Sequence, residues 1–398
     1  MRILTICAEY PPFFVGGISL HTYELNKLLA GNGFQVWVIT FWNDADIDKI
    51  QLNNEEGVHV IRIPRPAKNA AATYTAAFTE QNKRMIQGIN WIVNNIKEKF
   101  ELIVIHGYFL AEAAIFAKNI LKCPIVYHVH TLFSNFNDTK REYEDIRYAE
   151  KSICTESVKI VSVSEYLKEL INRKLGIDKD KMTVITKAVD LKKYDEVPNI
   201  ECEFNKIVYV GRISPEKGIE VVIYALKEVK ERIQKPIYLF IIGQADNKEY
   251  YQKIKNLIKE LGLKKEIVFL GYKGTQDIIR EYKNCTLVVV PSYAETFGKV
   301  AIEAMAAKVP VIVSDVGGLG PIITDNINGL KFKVGDYHGL AQQIFKVIED
   351  QDFARILSEN AYGEVKSKYQ WSKILTETIS VYKGVIDDEG NNCNTSSR

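Results

Sequence analysis

The sequence of 398 residues lacks any apolar run of eighteen or more residues, so we predict no membrane-spanning helix. Its six cysteines include no Cys-x-x-Cys pair, and several lie in apolar runs, which favours buried free thiols in a reducing compartment. The apolar start of the chain is broken early by Glu9, which argues against a signal peptide. These absences predict a cytoplasmic protein, and they leave open a peripheral contact with the inner face of a membrane.

The sequence also lacks an excess of charge of either sign. Its 52 basic and 50 acidic residues give a formal net charge of +2, which argues against nucleic-acid binding by the protein as a whole. Hydrophobic residues make up 46% and charged residues 26%, the balance of a globular protein. The length is that of about two domains. Nothing in these numbers indicates an oligomeric state.

Apolar runs alternate with helical patterns along most of the chain, and this alternation predicts an α/β protein with two doubly wound parallel sheets. We predict a first domain over residues 1–190, a polar linker over 191–205 and a second domain over 206–370. An amphipathic helix over 371–388 ends the fold, and the polar residues 389–398 are predicted to form a mobile tail. Two such domains predict a cleft towards which their strand ends face, a favoured place for ligands.

The most informative segment contains Glu295 and Glu303. An apolar run over 286–291 precedes it and predicts a strand buried on both faces, and a helix is predicted from Val300 onwards. A helix N-terminus at the end of a parallel strand binds phosphate, and Gly298 permits close approach of the ligand. The two glutamates lie at most about 12 Å apart along a helix axis, which suits sugar and ribose hydroxyls on either side of a diphosphate. The alternative is that both are ordinary exposed acids.

Two strand–helix loops carry candidate phosphate ligands. Gly16 and Gly17 follow the first strand and permit backbone approach to an anion, although an ordinary tight turn explains them equally well. The loop contains no Gly-x-Gly-x-x-Gly pattern, so a nicotinamide dinucleotide site is poorly supported. Arg212 and Lys217 lie in the loop after the first strand of the second domain, where two cations would stabilise a departing diphosphate.

Histidines lie where strands of the first domain end. His128 and His130 are two residues apart and therefore point to the same face of a strand. A metal site would need a third ligand, and none is spaced nearby, so a buried, hydrogen-bonded histidine is the alternative. We expect His130 to face the cleft, with His106 similarly placed. The Asp-x-Asp pattern at residues 44–46 is common by chance, so no metal ion is predicted.

With these residues the sequence resembles the retaining glycosyltransferases of the GT-B fold, in the family 4 group that includes sucrose synthases and has glycogen synthases as relatives. The resemblance covers residues 1–385, and its most specific part is the Glu-x₇-Glu motif of Glu295 and Glu303. It implies an acceptor-binding first domain, a nucleotide-sugar donor-binding second domain, and a final helix that crosses back to the first. Further matching motifs are Gly16-Gly17, Gly211-Arg212-x₄-Lys217-Gly218 and Val316-Gly317-Gly318.

The resemblance also implies a role for each matching residue. Catalytic roles fall to four of them: Glu295 contacts the hydroxyls of the donor sugar, Arg212 and Lys217 hold the diphosphate, and His130 lies near the reacting sugar carbon. Donor-binding roles fall to Gly16, Gly17, Phe297, Gly298, Lys299, Glu303 and, near the base, Tyr272. In such enzymes the leaving phosphate is thought to accept the acceptor's proton on the same face of the sugar. No protein nucleophile, metal or cofactor is then needed.

The identities of donor and acceptor are not readable from the sequence. UDP-glucose, UDP-N-acetylglucosamine and GDP-mannose remain open as donors; ADP-glucose is disfavoured because Phe14-Val15 stands where bacterial glycogen synthases carry a lysine. The acceptor hydroxyl, on a glycan, a lipid-linked sugar or a small molecule, is expected to bind around residues 65–80 and 106–140. Two rival functions are a sugar-nucleotide epimerase on the same architecture and a non-catalytic nucleotide-sugar binding protein.

Overall fold

The computed structural model describes residues 1–12, 16–42, 47–66, 74–133, 143–200 and 203–395, without the side chains of 74, 75 and 389–395. The Asp-x-Asp pattern at 44–46, the pair Phe14-Val15 and parts of both predicted acceptor segments lie outside these residues. The chain divides into two compact units, Met1–Thr186 with Ile374–Arg398, and Lys187–Lys373.

The first unit is built on an eight-stranded sheet in the order β3-β4-β2-β1-β5-β6-β7-β8. Every neighbouring pair is parallel except β3 and β4. The central strand β1 is mostly apolar and four of its five residues are buried, as expected for a strand with a parallel neighbour on each side. The strands are β1 (Arg2–Ile6), β2 (Gln35–Phe41), β3 (Gln51–Glu55), β4 (Val58–Ile63), β5 (Leu102–His106), β6 (Ile125–Val129), β7 (Lys159–Ser162) and β8 (Met182–Val184).

One helix of the first unit, α5 (Glu165–Leu175), begins and ends with recognisable local signals. In α5, the Ser164 hydroxyl accepts a hydrogen bond from the Leu167 amide at 3.0 Å, and Gly176 ends the helix in the left-handed conformation. The helices are α1 (Gly17–Gly31), α2 (Tyr74–Asn95), α3 (Ala111–Leu121), α4 (Glu144–Glu156), α5 (Glu165–Leu175) and the part of α14 (Trp371–Thr395) that begins at Ile374. Helix α14 continues to Thr395, whereas the sequence predicted a tail from residue 389.

The second unit contains a six-stranded, entirely parallel sheet in the order β11-β10-β9-β12-β13-β14. Helices α7 and α12 pack with the sheet into one apolar core. The strands are β9 (Asn205–Val210), β10 (Ile237–Ile242), β11 (Ile267–Gly271), β12 (Leu287–Val290), β13 (Val311–Ser314) and β14 (Leu330–Phe332). The helices are α6 (Leu191–Asp195), α7 (Ile219–Arg232), α8 (Lys248–Glu260), α9 (Thr275–Lys283), α10 (Lys299–Ala306), α11 (Leu319–Ile322), α12 (Tyr337–Glu349) and α13 (Gln351–Lys368).

Both sheets place their first strand in the interior, and the chain winds outward from it in both directions. The strand order therefore reverses between β1 and β5 in one unit and between β9 and β12 in the other. In open α/β sheets, ligands bind outside the carboxyl ends of the strands at this reversal. The predicted α/β class with two parallel-sheet units is confirmed. Each unit thus offers one favoured position for a ligand.

Several elements differ from the sequence prediction. The segment 191–205, predicted as a linker, starts with helix α6 and belongs to the second unit, where Tyr194 is buried. One turn of helix is too short to show a hydrophobic period. Strand β3 pairs antiparallel with β4, so the first sheet is not wholly parallel. Cys7, Cys123 and Cys154 are buried free thiols, as predicted. No helix among the described residues is long and apolar enough to cross a membrane.

Candidate functional site

The strand reversal of the second unit carries an ion pair between Lys217 and Glu295. Lys217 follows β9 and Glu295 follows β12, the two strands between which the order reverses. The Lys217 Nζ atom donates a hydrogen bond to Glu295 Oε2 at 2.7 Å, and the two side chains are only 23% and 17% exposed. The structure therefore brings together two residues that lie 78 positions apart and that the sequence assigned to one site.

Gly218 allows the loop that carries Lys217 to pack directly on the segment after β12. Its φ of +63° lies in the left-handed region, and a Cβ atom at this position would lie 2.2 Å from the Pro291 carbonyl oxygen. Next to this contact, the Tyr293 amide donates a hydrogen bond to the Glu216 carbonyl at 2.9 Å. A residue with a side chain at 218 would push the two segments apart. The close approach fixes the position of Lys217 relative to Glu295.

Helix α10 begins at Lys299, so Glu295 lies in the loop before the helix and only Glu303 lies on it. The distance along a helix axis expected from the sequence therefore does not apply to this pair. Gly298 caps the helix with φ +114°, which a residue with a side chain rarely adopts. The Gly318 amide donates to the Glu295 carbonyl at 2.8 Å and holds the loop in place. The N-terminus of α10 thus lies beside the Glu295 loop. It presents its first backbone amides and the positive end of the helix dipole there.

A second acid–base pair lies within α10. Lys299 Nζ lies 3.4 Å from Glu303 Oε1, and Glu303 Oε2 lies 3.4 Å from the Tyr282 hydroxyl. Burial raises the pKa of Tyr282 well above its usual value, so the hydroxyl keeps its proton and donates to the carboxylate. The Glu303 carboxylate oxygens are thus placed to accept hydrogen bonds from ligand hydroxyls as well. It fits the ribose-binding role that the resemblance implies.

Lys187 is a further charged residue near this site, and the sequence analysis did not identify it. It lies between β8 and α6, and the charges that act on its ammonium group are those of Lys299, Glu295, Lys217 and Glu303. Burial lowers the pKa of Lys187 most, and the charges of Lys299 and Lys217 lower it further, whereas Glu295 and Glu303 raise it. The resulting pKa is about 8. An isolated lysine in a connecting segment carries no motif. Only the folded structure shows its charge neighbours.

Three other predicted donor residues do not join the Lys217–Glu295 pair. Arg212 is 59% exposed, and its guanidinium group is bound by Asp246 and, at 2.8 Å, by Glu216. The side chain of Tyr272 is also 59% exposed and follows the edge strand β11. The ring of Phe297 is buried against that of Tyr369, with centroids 6.3 Å apart, so only the backbone of Phe297 remains for a ligand.

The strand reversal of the first unit carries the predicted glycines and histidine. Gly16 precedes α1 in an extended conformation, and Gly17 is the first residue of that helix. His130 lies one residue beyond β6 and is buried; its Nε2 atom lies 3.0 Å from Nδ1 of His106, the last residue of β5. The structure therefore places the predicted residues of this unit at the same edge of the sheet.

His130 is part of a cluster of four buried histidines: His21, His106, His128 and His130. The ring of His21, from α1, lies 5.4 Å from that of His130 and 6.2 Å from that of His106. His21 was not predicted as a site residue, because it lies inside a helix, where a single histidine carries no signal. Its position in the helix after the glycine pair is the feature that could have identified it.

His128 contributes to the cluster as a neutral group. Its Nε2 atom lies 2.8 Å from the Tyr382 hydroxyl of α14, and its ring stacks on His106 with centroids 4.6 Å apart. Burial lowers the pKa of His128 to about 3, so the imidazole is uncharged at neutral pH. Among the residues that the structure describes, no group of three or more His, Cys, Asp or Glu side chains could hold a metal ion.

Two family models match the two units of this fold in turn. The model described as glycosyltransferase family 4 matches residues 15–193, and the model described as glycosyl transferases group 1 matches residues 190–364. The sequence is 30% identical to an uncharacterized glycosyltransferase of Methanocaldococcus jannaschii, over 98% of this chain and 100% of the relative.

Solved structures share the fold of this chain. Sucrose-phosphate synthase from Thermosynechococcus elongatus superposes with a TM-score of 0.83 at 22% identity, over 97% of this chain and 99% of the other. HepE from Anabaena, solved in complex with UDP-glucose, superposes with a TM-score of 0.74 at 20% identity, over 96% and 100%. At these identities the likeness establishes the two-unit fold.

Proposed function

Because this chain belongs to the family 4 glycosyltransferases of the GT-B fold, we propose that it transfers a hexose or N-acetylhexosamine from a nucleoside-diphosphate sugar to a hydroxyl acceptor. We propose further that the transfer retains the anomeric configuration and needs no metal ion. The observation that carries the proposal is the Lys217–Glu295 pair at the strand reversal of the second unit. A cation and a hydrogen-bond acceptor for hydroxyls lie there beside a helix N-terminus.

The donor occupies this site with its diphosphate on the cationic side. Lys217 and the first amides of α10 bind phosphate oxygens, because ammonium groups and free helical N–H groups both favour anions. Glu295 accepts hydrogen bonds from sugar hydroxyls, and Glu303 accepts them from the ribose. Arg212 exchanges the carboxylates of Asp246 and Glu216 for phosphate when the donor binds. Tyr272 lies on the side of the base.

The chemistry follows from charge rather than from a nucleophile of the protein. As the bond between sugar and diphosphate breaks, negative charge grows on the leaving oxygen, and Lys217 stabilises it more strongly in the transition state than in the ground state. The acceptor hydroxyl attacks from the face that the diphosphate leaves and gives its proton to a phosphate oxygen. Retention results, because the new bond forms on the same face as the old one. The resemblance alone supports a place for His130 near the reacting sugar carbon.

The donor is of the UDP or GDP type. HepE, which shares the fold, was solved with UDP-glucose, and this supports a UDP-sugar as the first candidate. The acceptor is a hydroxyl of a glycan, a lipid-linked sugar or a small molecule, bound by the first unit. The sequence departs from bacterial glycogen synthases before the glycine pair, where Phe14-Val15 replaces their lysine, which supports a donor other than ADP-glucose.

Two substitutions test the assignment of the donor site. Lys217→Ala removes the cation and Glu295→Ala removes the hydroxyl acceptor, and each is expected to lower turnover of the donor at least about 100-fold, the scale of losing one preorganised transition-state contact. Lys227→Ala is the matched control, because Lys227 forms an exposed pair with Glu231 on α7 at 2.8 Å. Wild-type turnover in both site variants would reject the assignment.

The product distinguishes the proposed transfer from its rivals. NMR of the first-formed product is expected to show the anomeric configuration of the donor. Inversion would reject the retaining mechanism. Conversion of the sugar nucleotide without release of diphosphate would instead indicate an epimerase, and tight nucleotide binding with no turnover of any acceptor would indicate a binding protein.

A further inference from the structure

The segment that carries Lys187 is anchored to the second unit beside the proposed donor site. Ala188 and Val189 are buried, Val189 forms a parallel bridge with Gln370, and its amide donates to the Tyr369 carbonyl at 2.9 Å. Tyr369 in turn packs on Phe297, which lies between Glu295 and α10. This series of contacts fixes the backbone next to Lys187 relative to the Glu295 loop.

The charges around Lys187 do not balance. Lys217 is paired with Glu295 and Lys299 with Glu303, so both carboxylates of the cluster already have a lysine partner. The charges of these four groups, which come from the loop after β9, the loop after β12 and helix α10, all act on the Lys187 ammonium group. No ion pair joins its ammonium group to another residue within the described part of the chain. The cluster thus carries three lysines and two glutamates, an excess of one positive charge.

A partly buried, unpaired ammonium group is costly unless an anion arrives to compensate it. The excess cation is close enough to Lys217 and to Lys299, the first residue of α10, for their charges to act on it. An ammonium group and a helix N-terminus are both suited to phosphate. We propose that Lys187 is an additional donor-binding residue, whose ammonium group binds the diphosphate of the nucleotide sugar together with Lys217. The inference rests on the proposed function and adds a residue to its site.

A proton should be taken up when the diphosphate binds. Because the pKa of Lys187 is lowered to about 8 by burial and by Lys299 and Lys217, part of the population is neutral in mildly alkaline solution. A bound diphosphate favours the charged form and raises this pKa. Affinity is therefore greatest below pH 8 and falls as the pH rises above it, by up to about tenfold per pH unit until the pKa of the complex is reached.

The test is calorimetric titration of the full chain with UDP and GDP at about pH 7.5 and about pH 8.5, in buffers that differ in ionisation enthalpy. The phosphate groups themselves do not titrate there, because their second pKa is about 6. Wild type is expected to take up a proton at the higher pH and to bind more weakly there. Lys187→Met is expected to bind about tenfold or more weakly at the lower pH and to take up no proton.

The variant Lys187→Arg tests whether weaker binding by Lys187→Met results from the lost positive charge or from a disturbed fold. Arginine stays protonated throughout this range, so this variant is expected to retain most of the affinity and to lose the pH dependence. Melting temperatures of all variants without nucleotide report whether they fold. If Lys187→Met binds with wild-type affinity and takes up a proton like wild type, the inference is overturned while the proposed function stands. The same holds if Lys187→Arg folds but binds as weakly as Lys187→Met. Absence of binding by wild type to UDP, GDP, ADP and dTDP alike would overturn both.

Discussion

Lys217 and Glu295 define the proposed donor site at the scale of single residues. Each lies after a strand at the reversal of strand order, and each is mostly buried. A partly buried pair of this kind is held by its surroundings, unlike exposed surface pairs, which contribute little. The contact between residues 218 and 291 is the part of those surroundings that brings the two loops together.

Gly218→Ala therefore tests the geometry of the site without touching a charged group. The new Cβ atom would lie 2.2 Å from the Pro291 carbonyl oxygen in a backbone conformation that alanine disfavours. We expect a loss of unfolding free energy of at least about 2 kcal/mol and weaker binding of the nucleoside diphosphate. Denaturant unfolding and calorimetry measure the two effects.

Gly363→Ala is the matched control for this substitution. Gly363 is exposed within α13, and nothing lies within 4 Å of an added Cβ atom. Alanine at that position should raise the unfolding free energy by about 0.5–1 kcal/mol and leave binding unchanged. Equal effects of the two substitutions would mean that the close approach at Gly218 does not position Lys217.

At the residue scale, the sequence predicted those functional candidates that belong to a motif. The spacing of Glu295, Gly298 and Glu303 after an apolar run indicated a phosphate-binding helix start, and the structure has that helix start at Lys299. Lys187 and His21 were missed because their surroundings come from distant parts of the chain. The surface pairing of Arg212 with Asp246 was equally invisible, since the two residues lie on different loops.

At the scale of elements, α14 is tied to the first sheet by the Tyr382–His128 hydrogen bond. Both groups are buried, so each would be left without this partner if the other were lost. The bond joins a helix near the end of the chain to strand β6, 254 residues away. The end of the chain therefore contributes to the core of the first unit.

His128 makes the stability of the protein depend on pH. Its pKa is lowered from 6.5 to about 3 by burial, so below pH 6.5 the unfolded chain binds a proton that the folded chain does not. The unfolding free energy is then expected to fall as the pH falls from about 6.5 towards 3. When the pH falls from about 6 to about 5, the protonation of His128 in the unfolded chain lowers the unfolding free energy by roughly 1 kcal/mol.

Denaturant titrations of wild type and His128→Gln at these two pH values measure this contribution. Glutamine can still hydrogen-bond Tyr382 but does not titrate, so the variant should lose less stability on acidification than wild type. Identical losses in the two proteins would show that His128 is not held neutral in the folded state. The comparison cancels the titration of the other histidines, which both proteins share.

Three short elements that the sequence did not predict share a physical cause. Strand β3 is mostly exposed and polar, so it has no apolar alternation to reveal it, and its pairing depends on a turn with left-handed Glu56 and Gly57. Strand β14 has only three residues, and α6 has five. The buried strands were found because a parallel strand covered on both faces is apolar throughout. Hydrophobic pattern thus located the cores but not their edges.

At the scale of the whole molecule, the same construction appears in both units. Each has a mostly parallel sheet whose first strand lies inside it, and each has candidate residues at the reversal of strand order. The alternation of strands and helices in the sequence was sufficient to predict this class. It was not sufficient to place the boundary between the units, because no local pattern reveals that residues 187–205 belong to the second unit.

The most direct test of the account is a thermal-shift screen of the whole chain against UDP-, GDP-, ADP- and dTDP-sugars, with and without a metal chelator, in wild type and Lys217→Ala. A ligand that binds only the folded protein raises its melting temperature. We predict that a UDP- or GDP-sugar stabilises wild type, that the chelator leaves the shift unchanged, and that Lys217→Ala loses it. No shift with any sugar nucleotide, or an equal shift in the variant, would contradict the proposed donor site.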